Sequence, residues 1–156
     1  MEVIARAVSG AILGAGTVRN AADAQAAKDA GCTFAVSPGS TSSIGQACRR
    51  TGLSLLPGTA TGSEVMQANA DGYFFLKFFP AMQAGGIDML KALGNPYTDV
   101  VVCPTGGITL ATAPQFLALP SVKVYVGSWL TPPDAVVAKD WARITALARE
   151  ASALRA

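Results

Sequence analysis

The chain has 156 residues, of which 51% are hydrophobic and 14% are charged, and its formal net charge is +2. This length predicts a single domain over residues 1–156, and the composition argues against a disordered or coiled-coil chain. The densest basic spot is Arg49–Arg50, so we expect no nucleic-acid partner. The longest uncharged stretch, residues 100–122, is interrupted by glycines and prolines, which argues against a membrane helix.

The three cysteines, Cys32, Cys48 and Cys103, have no CxxC spacing, and the chain contains no histidine. An odd number of isolated cysteines predicts neither a metal site nor a disulfide framework. We therefore expect reduced thiols, no metal or other cofactor, and a cytoplasmic location. The N-terminus shows no apolar segment of the kind that directs export.

Short apolar runs alternate with alanine-rich helical stretches along the chain. The sequence predicts strands at Ala11–Val18, Thr33–Val36, Ser54–Leu56, Tyr73–Phe78, Val100–Cys103 and Val122–Val126. It predicts helices at Glu2–Val8, Ala21–Ala30, Ser42–Thr51, Ser63–Ala70, Gly86–Leu93, Ala111–Leu117 and Asp140–Leu154. Thr61 and Glu64 have the spacing of a capping box. The alternation predicts about six βα units, with parallel strands covered by helices.

The number of units leaves two architectures open. A closed eight-fold barrel typically needs about 250 residues, or about 200 when it is compact. A chain of 156 residues with about six units fits either an open doubly wound sheet or an incomplete barrel.

One charged residue, Lys77, lies in the apolar, aromatic-rich stretch Gly72–Pro80. Burial disfavours an ammonium group, so a buried strand would lower the pKa of Lys77 and produce the amine that attacks a carbonyl to form a Schiff base. Lys77 also lies near the carboxyl end of its predicted strand, where parallel α/β folds collect active-site groups. The alternative is an exposed lysine, or one that extends past the aromatic rings to water.

Two glycine-containing turns follow the last two predicted strands: CPTGGI at residues 103–108 and VGSW at residues 126–129. Exposed backbone N–H groups in such turns bind anions, and the loops after the last two strands of a βα barrel are a common phosphate site. Ordinary turns also contain glycine pairs, so that alternative stays open. A third turn, GAGT at residues 14–17, lacks GxGxxG spacing because residue 19 is arginine, which argues against a dinucleotide site.

The sequence contains no evident general base. It has no histidine, and most of its ten acidic residues fall on predicted helices, before strands or at a helix cap. Schiff-base aldol chemistry needs proton transfers from a group within hydrogen-bonding reach. The base is therefore a bound water, a tyrosine, or a group that this chain lacks.

The segments GAGTV, VSPG, LKFFPA, CPTGGI, GSWL and DWARITALAREA closely resemble the bacterial 2-keto-3-deoxy-6-phosphogluconate (KDPG) / 4-hydroxy-2-oxoglutarate (KHG) aldolases. The resemblance extends over essentially the whole chain, in order and without large gaps. It implies a TIM (β/α)8-type barrel and a homotrimer of the Entner–Doudoroff route. It also implies a class I aldolase that cleaves its phosphorylated keto sugar acid to pyruvate and glyceraldehyde 3-phosphate through a lysine Schiff base, without a metal.

The resemblance also implies roles for individual residues. By position in the family motifs, the Schiff-base lysine is Lys77, with Phe79 beside it. Thr17 would help to hold the pyruvate carboxylate, and Pro38 and Thr105 would line the pyruvate site. The phosphate-binding residues would be Gly106, Gly107, Gly127 and Ser128.

The chain departs from the family pattern in two places. Val126 stands where the family usually has a second glycine before GSW, and its β-branched side chain would crowd the phosphate or need a different backbone angle. At the front, Glu2–Val8 resembles the helix after the family's second strand, so we expect an N-terminally incomplete barrel. The two missing units would carry the family's catalytic glutamate and its carboxylate-binding arginine.

The first hypothesis is accordingly a class I aldolase that forms an imine with pyruvate through Lys77 but turns over slowly, because the glutamate and the arginine have no substitute. The second is a non-catalytic, trimer-forming assembly module derived from the aldolase. The third is a protein that only binds a phosphorylated ligand.

Overall fold

A computed structural model of the chain describes residues 1–154, and the chain divides into two compact units, Met1–Lys77 and Phe78–Ala156. In the first unit the helices are α1 (Glu2–Ala7), α2 (Ala21–Asp29), α3 (Ser42–Thr51) and α4 (Gly62–Ala70). The strands are β1 (Gly14–Ala15), β2 (Phe34–Val36), β3 (Ser54–Leu56), β4 (Gly58–Thr59) and β5 (Phe75–Phe78), whose last residue belongs to the second unit.

Strands β1, β2 and β3 form a parallel sheet in that order, as the βα alternation predicts. Ala35 lies between Ala15 and Leu55 in the ladder, and it is fully buried. Helices α2 and α3 bury small side chains such as Ala24 and Ala47 in the same core. Because these side chains are small, the helices can approach the sheet closely. Since the three strands are parallel, their carboxyl ends lie at one edge of the sheet.

The helix boundaries follow from capping residues that the sequence contains. Asn20 accepts a hydrogen bond from the backbone N–H of Asp23 at the start of α2, and Thr41 does the same for Ile44 at the start of α3. Gly52 ends α3 in the left-handed region, with φ at 69°. At α4, the Thr61 hydroxyl accepts from the Glu64 N–H and the Glu64 carboxylate accepts from the Thr61 N–H, which confirms the predicted capping box.

Removing this cap should lower stability by a measurable amount. We expect Thr61→Ala to reduce the free energy of unfolding by about 1 kcal/mol, because the Glu64 N–H loses its side-chain acceptor. Ser63→Ala, at an exposed residue in the same first turn, is the matched control and should change stability by less than about 0.5 kcal/mol. Urea unfolding of both variants measures the difference, and equal stabilities would contradict the cap's role.

In the second unit the helices are α5 (Gly86–Gly94), α6 (Ala113–Leu117), a 3-10 helix (Ser128–Leu130), α7 (Pro133–Val137) and α8 (Trp141–Ala153), and the strand is β6 (Val101–Pro104). Phe78, the last residue of β5, accepts a hydrogen bond from the N–H of Thr105 directly after β6. Phe116 of α6 and Val122 supply large buried side chains.

The end of this unit is held together by side chains at helix termini. The Asp140 carboxylate caps α8 by accepting from the Arg143 N–H. The Arg143 guanidinium also donates to the Asp134 carboxylate on α7, at 2.6 Å, and this hydrogen bond lowers the pKa of Asp134. Since both side chains are exposed to solvent, the pair organises the α7–α8 corner more than it adds to stability.

Several predicted strands are shorter than expected, and two of them differ most. The predicted strand Ala11–Val18 is limited to Gly14–Ala15, because Thr17 has a φ of 59°, which ends the extended conformation. The predicted strand Val122–Val126 forms only two isolated parallel bridges, Val102 with Val122 and Thr105 with Val126. The Val122 N–H donates to Leu119 in a turn, so this group is not available to a ladder. Helix α7 was not predicted, although Pro133 is favourable in a first turn.

No helix within residues 1–154 is both long enough and apolar enough to cross a membrane. The same residues contain no group of three His, Cys, Asp or Glu side chains arranged to hold a metal ion. The three cysteines are buried and form no disulfide bond.

Candidate active site

Lys77 is a buried lysine on the strand that the sequence predicted. Only 8% of its surface is exposed, and its neighbours Leu76 and Phe78 are fully buried. The backbone N–H of Lys77 donates to the backbone carbonyl of Pro57 at 2.8 Å. The structure therefore contradicts the alternative of a lysine on an exposed face. Burial leaves the Lys77 side chain little access to bulk water, and this is the condition that the Schiff-base hypothesis requires.

A buried threonine lies next to Lys77, and sequence reasoning missed it. Thr59 is 4% exposed, and its hydroxyl lies 3.5 Å from the Lys77 carbonyl oxygen. Ser37 is a second buried polar residue, 3% exposed, directly after β2. The signal that could have found both is a hydroxyl residue at the carboxyl end of a strand or directly after it, where active-site groups collect.

Pro38 lies against the segment that pairs with Lys77. It is half-buried in the loop after β2. The Gly58 N–H donates to the carbonyl of Gly39, and a Cβ on Gly58 would overlap the carbonyl group of Pro38. Only glycine permits this approach. The structure therefore brings Pro38 close to β4, the strand whose Thr59 reaches the carbonyl of Lys77.

Thr17 lies in the loop after β1, at the same edge of the sheet as Pro38. It is exposed, and its φ of 59° is unusual for a β-branched residue. The following residue, Val18, donates its N–H to the Val36 carbonyl at the end of β2, so the loop is fixed to its neighbour. Strain of this kind is more common at binding sites than elsewhere.

In the second unit, Phe79 and Thr105 meet the first glycine turn. The Ala81 N–H donates to the Thr105 carbonyl at 2.8 Å, and the Met82 N–H donates to the Gly106 carbonyl at 3.2 Å. A Cβ on Gly106 would lie 3.5 Å from the ring of Phe79. The turn after β6 and the segment after β5 are thus held together, and the Phe79–Pro80 peptide bond in that segment is cis.

The glycine turn presents backbone donors. Gly106 and Gly107 have φ values of 105° and 75°, which L side chains rarely adopt. Within residues 1–154, the N–H groups of Gly106, Gly107 and Gly127 donate to no protein acceptor. N–H groups without internal partners in glycine-containing turns are the donors that bind anions. The parallel bridge between Thr105 and Val126 places the second turn, with Gly127 and Ser128, beside the first.

The valine at position 126, where the family usually has glycine, does not require an unusual backbone angle. Its φ is not positive, and its N–H donates to Pro104 at 3.1 Å in extended pairing. Its side chain is 49% exposed. Gly127 is tightly covered, since a Cβ there would lie 2.6 Å from Cδ1 of the Trp129 indole. The second turn is therefore shaped by the indole of Trp129 rather than by a second glycine.

Tyr73 and Tyr125 can be assessed as candidates for the general base. The Tyr73 hydroxyl accepts a hydrogen bond from Arg49 at 3.0 Å, and burial raises the pKa of Tyr73. Burial also raises the pKa of Tyr125, whose hydroxyl has no hydrogen-bond partner among residues 1–154. A raised pKa keeps a phenol protonated at neutral pH, so both groups are weaker candidates for the base than the sequence alone suggested.

The fold and these positions define an α/β protein with parallel strands, a buried strand lysine and glycine turns with available donors. A family model for KDPG and KHG aldolase matches residues 1–147. The 2-dehydro-3-deoxy-phosphogluconate aldolase of Pseudoalteromonas atlantica is 46% identical over 153 residues, which cover 98% of this chain and 71% of that protein.

Two solved structures are similar as well. The KDPG aldolase of Legionella pneumophila, with pyruvate captured at low pH as a covalent carbinolamine intermediate, has a TM-score of 0.92 and 37% identity, covering 99% of this chain and 74% of that one. The 2-keto-3-deoxy-6-phosphogluconate aldolase of Zymomonas mobilis ZM4 with 3-phosphoglycerate has a TM-score of 0.87 and 45% identity, covering 97% and 71%.

The chain belongs to the KDPG and KHG aldolase family. The resemblance inferred from the motifs is therefore confirmed, and with it the enzyme class, a carbon–carbon lyase of the Schiff-base type. The predicted α/β fold class, with parallel strands, is confirmed as well. The roles of individual site residues stay predictions.

Proposed function

We propose that the chain cleaves KDPG or KHG to pyruvate and an aldehyde through a Schiff base on Lys77. The observation that carries this proposal is the burial of Lys77, 8% exposed, on a strand next to the buried Thr59. The pyruvate held covalently in the Legionella pneumophila aldolase supports it. The single domain, the incomplete barrel of about six units, the homotrimer and the cytoplasmic location belong to the same proposal.

In this reaction the Lys77 amine adds to the substrate C2 carbonyl to form a carbinolamine, which loses water to give an iminium ion. The iminium accepts the electron pair of the C3–C4 bond as that bond breaks and the C4 hydroxyl gives up its proton. The aldehyde leaves, and the remaining enamine takes a proton at C3. Water then hydrolyses the iminium, which releases pyruvate and restores the amine.

Thr17, Pro38, Phe79 and Thr105 are the residues proposed to contact the pyruvate part of the substrate. A phosphate would be bound by the N–H groups of Gly106, Gly107 and Gly127, together with the exposed hydroxyl of Ser128.

Reductive trapping tests the proposal directly. Incubation with pyruvate and borohydride should add one reduced pyruvate to the chain, because borohydride reduces the iminium to a stable secondary amine. Peptide mass mapping should locate the adduct on Lys77. An intact chain that forms a homotrimer but no adduct would instead support the assembly module.

The phosphate turns can be tested separately with two substrates. Ser128→Ala should raise KM for KDPG about tenfold, because a hydrogen bond to a charged group is lost, while KM for KHG, which has no phosphate, should be nearly unchanged. Ser152→Ala, at an exposed serine of α8, is the control and should affect neither substrate. Equal changes with both substrates would contradict a phosphate role for Ser128.

A further inference from the structure

The second unit contains a cavity that is lined by none of the residues proposed for the aldolase reaction. Its volume is about 630 Å³, within the range of small-molecule sites. It lies between the C-terminal half of α5, the connection to β6 and the segment after α6. Its lining includes Leu90, Lys91, Asn95, Leu119, Ser121 and Lys123.

The cavity and the glycine turn lie at opposite ends of β6. Val101, the first residue of the strand, lines the cavity, whereas Gly106 and Gly107 follow its last residue, Pro104. Four residues of strand span roughly 13 Å. The Val102 N–H donates to the Ser121 carbonyl at 2.7 Å, which fixes the segment after α6 to this end of the strand. A ligand in the cavity would therefore be separate from a phosphate at the glycine turns.

The charged side chains of the lining indicate the charge of the ligand. Lys91 and Lys123 both line the cavity, and no aspartate or glutamate among residues 1–154 does so. Asn95, Thr98 and Ser121 add neutral polar groups, while Leu90, Val100 and Leu119 supply apolar wall. Two ammonium groups in a lining without a carboxylate attract an anion.

The end of α5 adds acceptors to these donors. The final carbonyl groups of a helix have no partner inside the helix. The Leu93 carbonyl, which is outside the lining, accepts from the Tyr97 N–H, and the residues of this turn that line the cavity are Lys91, Ala92 and Gly94. Hydroxyl groups are the ligand groups that can donate to such carbonyls.

We propose that this cavity binds a small hydroxylated anion, phosphorylated or carboxylated, with its charge on Lys91 and Lys123 and its hydroxyl groups on the end of α5. The inference does not depend on the proposed reaction, because none of these residues takes part in it.

The test is titration of the full chain, labelled with ¹⁵N, with three probes that share a carbon skeleton: glycerol 3-phosphate, glycerate and uncharged glycerol. We expect saturable shifts of the Asn95, Thr98 and Ser121 amides with one or both anions and none with glycerol. The two anions distinguish a phosphate ligand from a carboxylate ligand. Shifts confined to residues 104–107 and 126–128 would overturn the proposal.

Variants separate this cavity from the glycine turns. The double variant Lys91→Ala/Lys123→Ala should weaken binding at the cavity amides at least about tenfold, since two charged hydrogen bonds are lost. Lys28→Ala is the matched control, because Lys28 lies in the last turn of α2 as Lys91 does in α5. Ser128→Ala should also leave cavity binding unchanged. Binding that survives in the double variant, or that is equally weakened by Lys28→Ala, would overturn the proposal.

Discussion

Lys77→Met should reduce aldol cleavage by about 10³-fold or more and abolish trapping of pyruvate by borohydride. Covalent catalysis depends on the nucleophile, and removing a nucleophile costs several orders of magnitude in kcat. Methionine is unbranched, apolar and similar in length, so it suits the buried position between Leu76 and Phe78. The fold should therefore survive while the amine is lost.

The control is Lys28→Met, at an exposed lysine on α2 in the same unit. It should retain the wild-type rate and the wild-type adduct, and urea unfolding should show both variants folded. Cleavage by folded Lys77→Met within tenfold of the wild-type rate would exclude Lys77 as the nucleophile. If the wild type and Lys77→Met bind a phosphorylated ligand equally well and neither cleaves it, the hypothesis of a protein that only binds a phosphorylated ligand would be favoured.

Gly58→Ala should reduce the free energy of unfolding by about 3 kcal/mol or more, a large fraction of the stability of a small protein. A Cβ there would overlap the carbonyl group of Pro38 and lie 2.7 Å from the backbone nitrogen of Gly39. The obstructing atoms belong to the backbone, so the loop after β2 must move as a whole. Because Gly58 is followed by Thr59, which reaches the carbonyl of Lys77, the displacement should also weaken trapping at Lys77.

Gly39→Ala provides the comparison in the same loop. Nothing lies within 4 Å of a Cβ on Gly39, and its φ is outside the left-handed region. Its stability should be unchanged or raised by up to about 1 kcal/mol, because alanine restricts the unfolded chain. Urea unfolding of the two variants gives the comparison. A loss of less than about 1 kcal/mol in Gly58→Ala would show that the loop yields easily and does not fix Pro38.

All α-helices except α7 were predicted close to their observed positions, because their signals are local. Helix α3 has the predicted bounds, Ser42–Thr51, since Thr41 caps its start and Gly52 ends it. The capping box of α4 uses residues three positions apart. The strands were predicted less well, because pairing with a distant segment decides their length. The run at Val122–Val126 has the composition of a strand, yet it pairs only at two bridges.

The residues of the candidate site differ in the same way: those with a local signal were predicted, and those that depend on a distant contact were not. Lys77 stood out because a single charge in an aromatic run is visible in the sequence, and its motif also carried the resemblance to the family. Thr59 did not stand out, because its importance comes from the contact with Lys77 across two strands. The cavity beside Lys91 and Lys123 was not foreseen either, since those lysines are far apart in the chain.

The amino-acid sequence by itself determined the family, the alternation of strands and helices, and the lysine proposed as nucleophile, because motifs, caps and hydrophobic periodicity are written in neighbouring residues. Only the tertiary structure decided that Lys77 is buried, that Gly58 must be glycine because Pro38 lies against it, and that the glycine turns keep N–H groups without internal acceptors. These properties depend on which backbone atoms meet across loops and strands, and no local pattern contains that information.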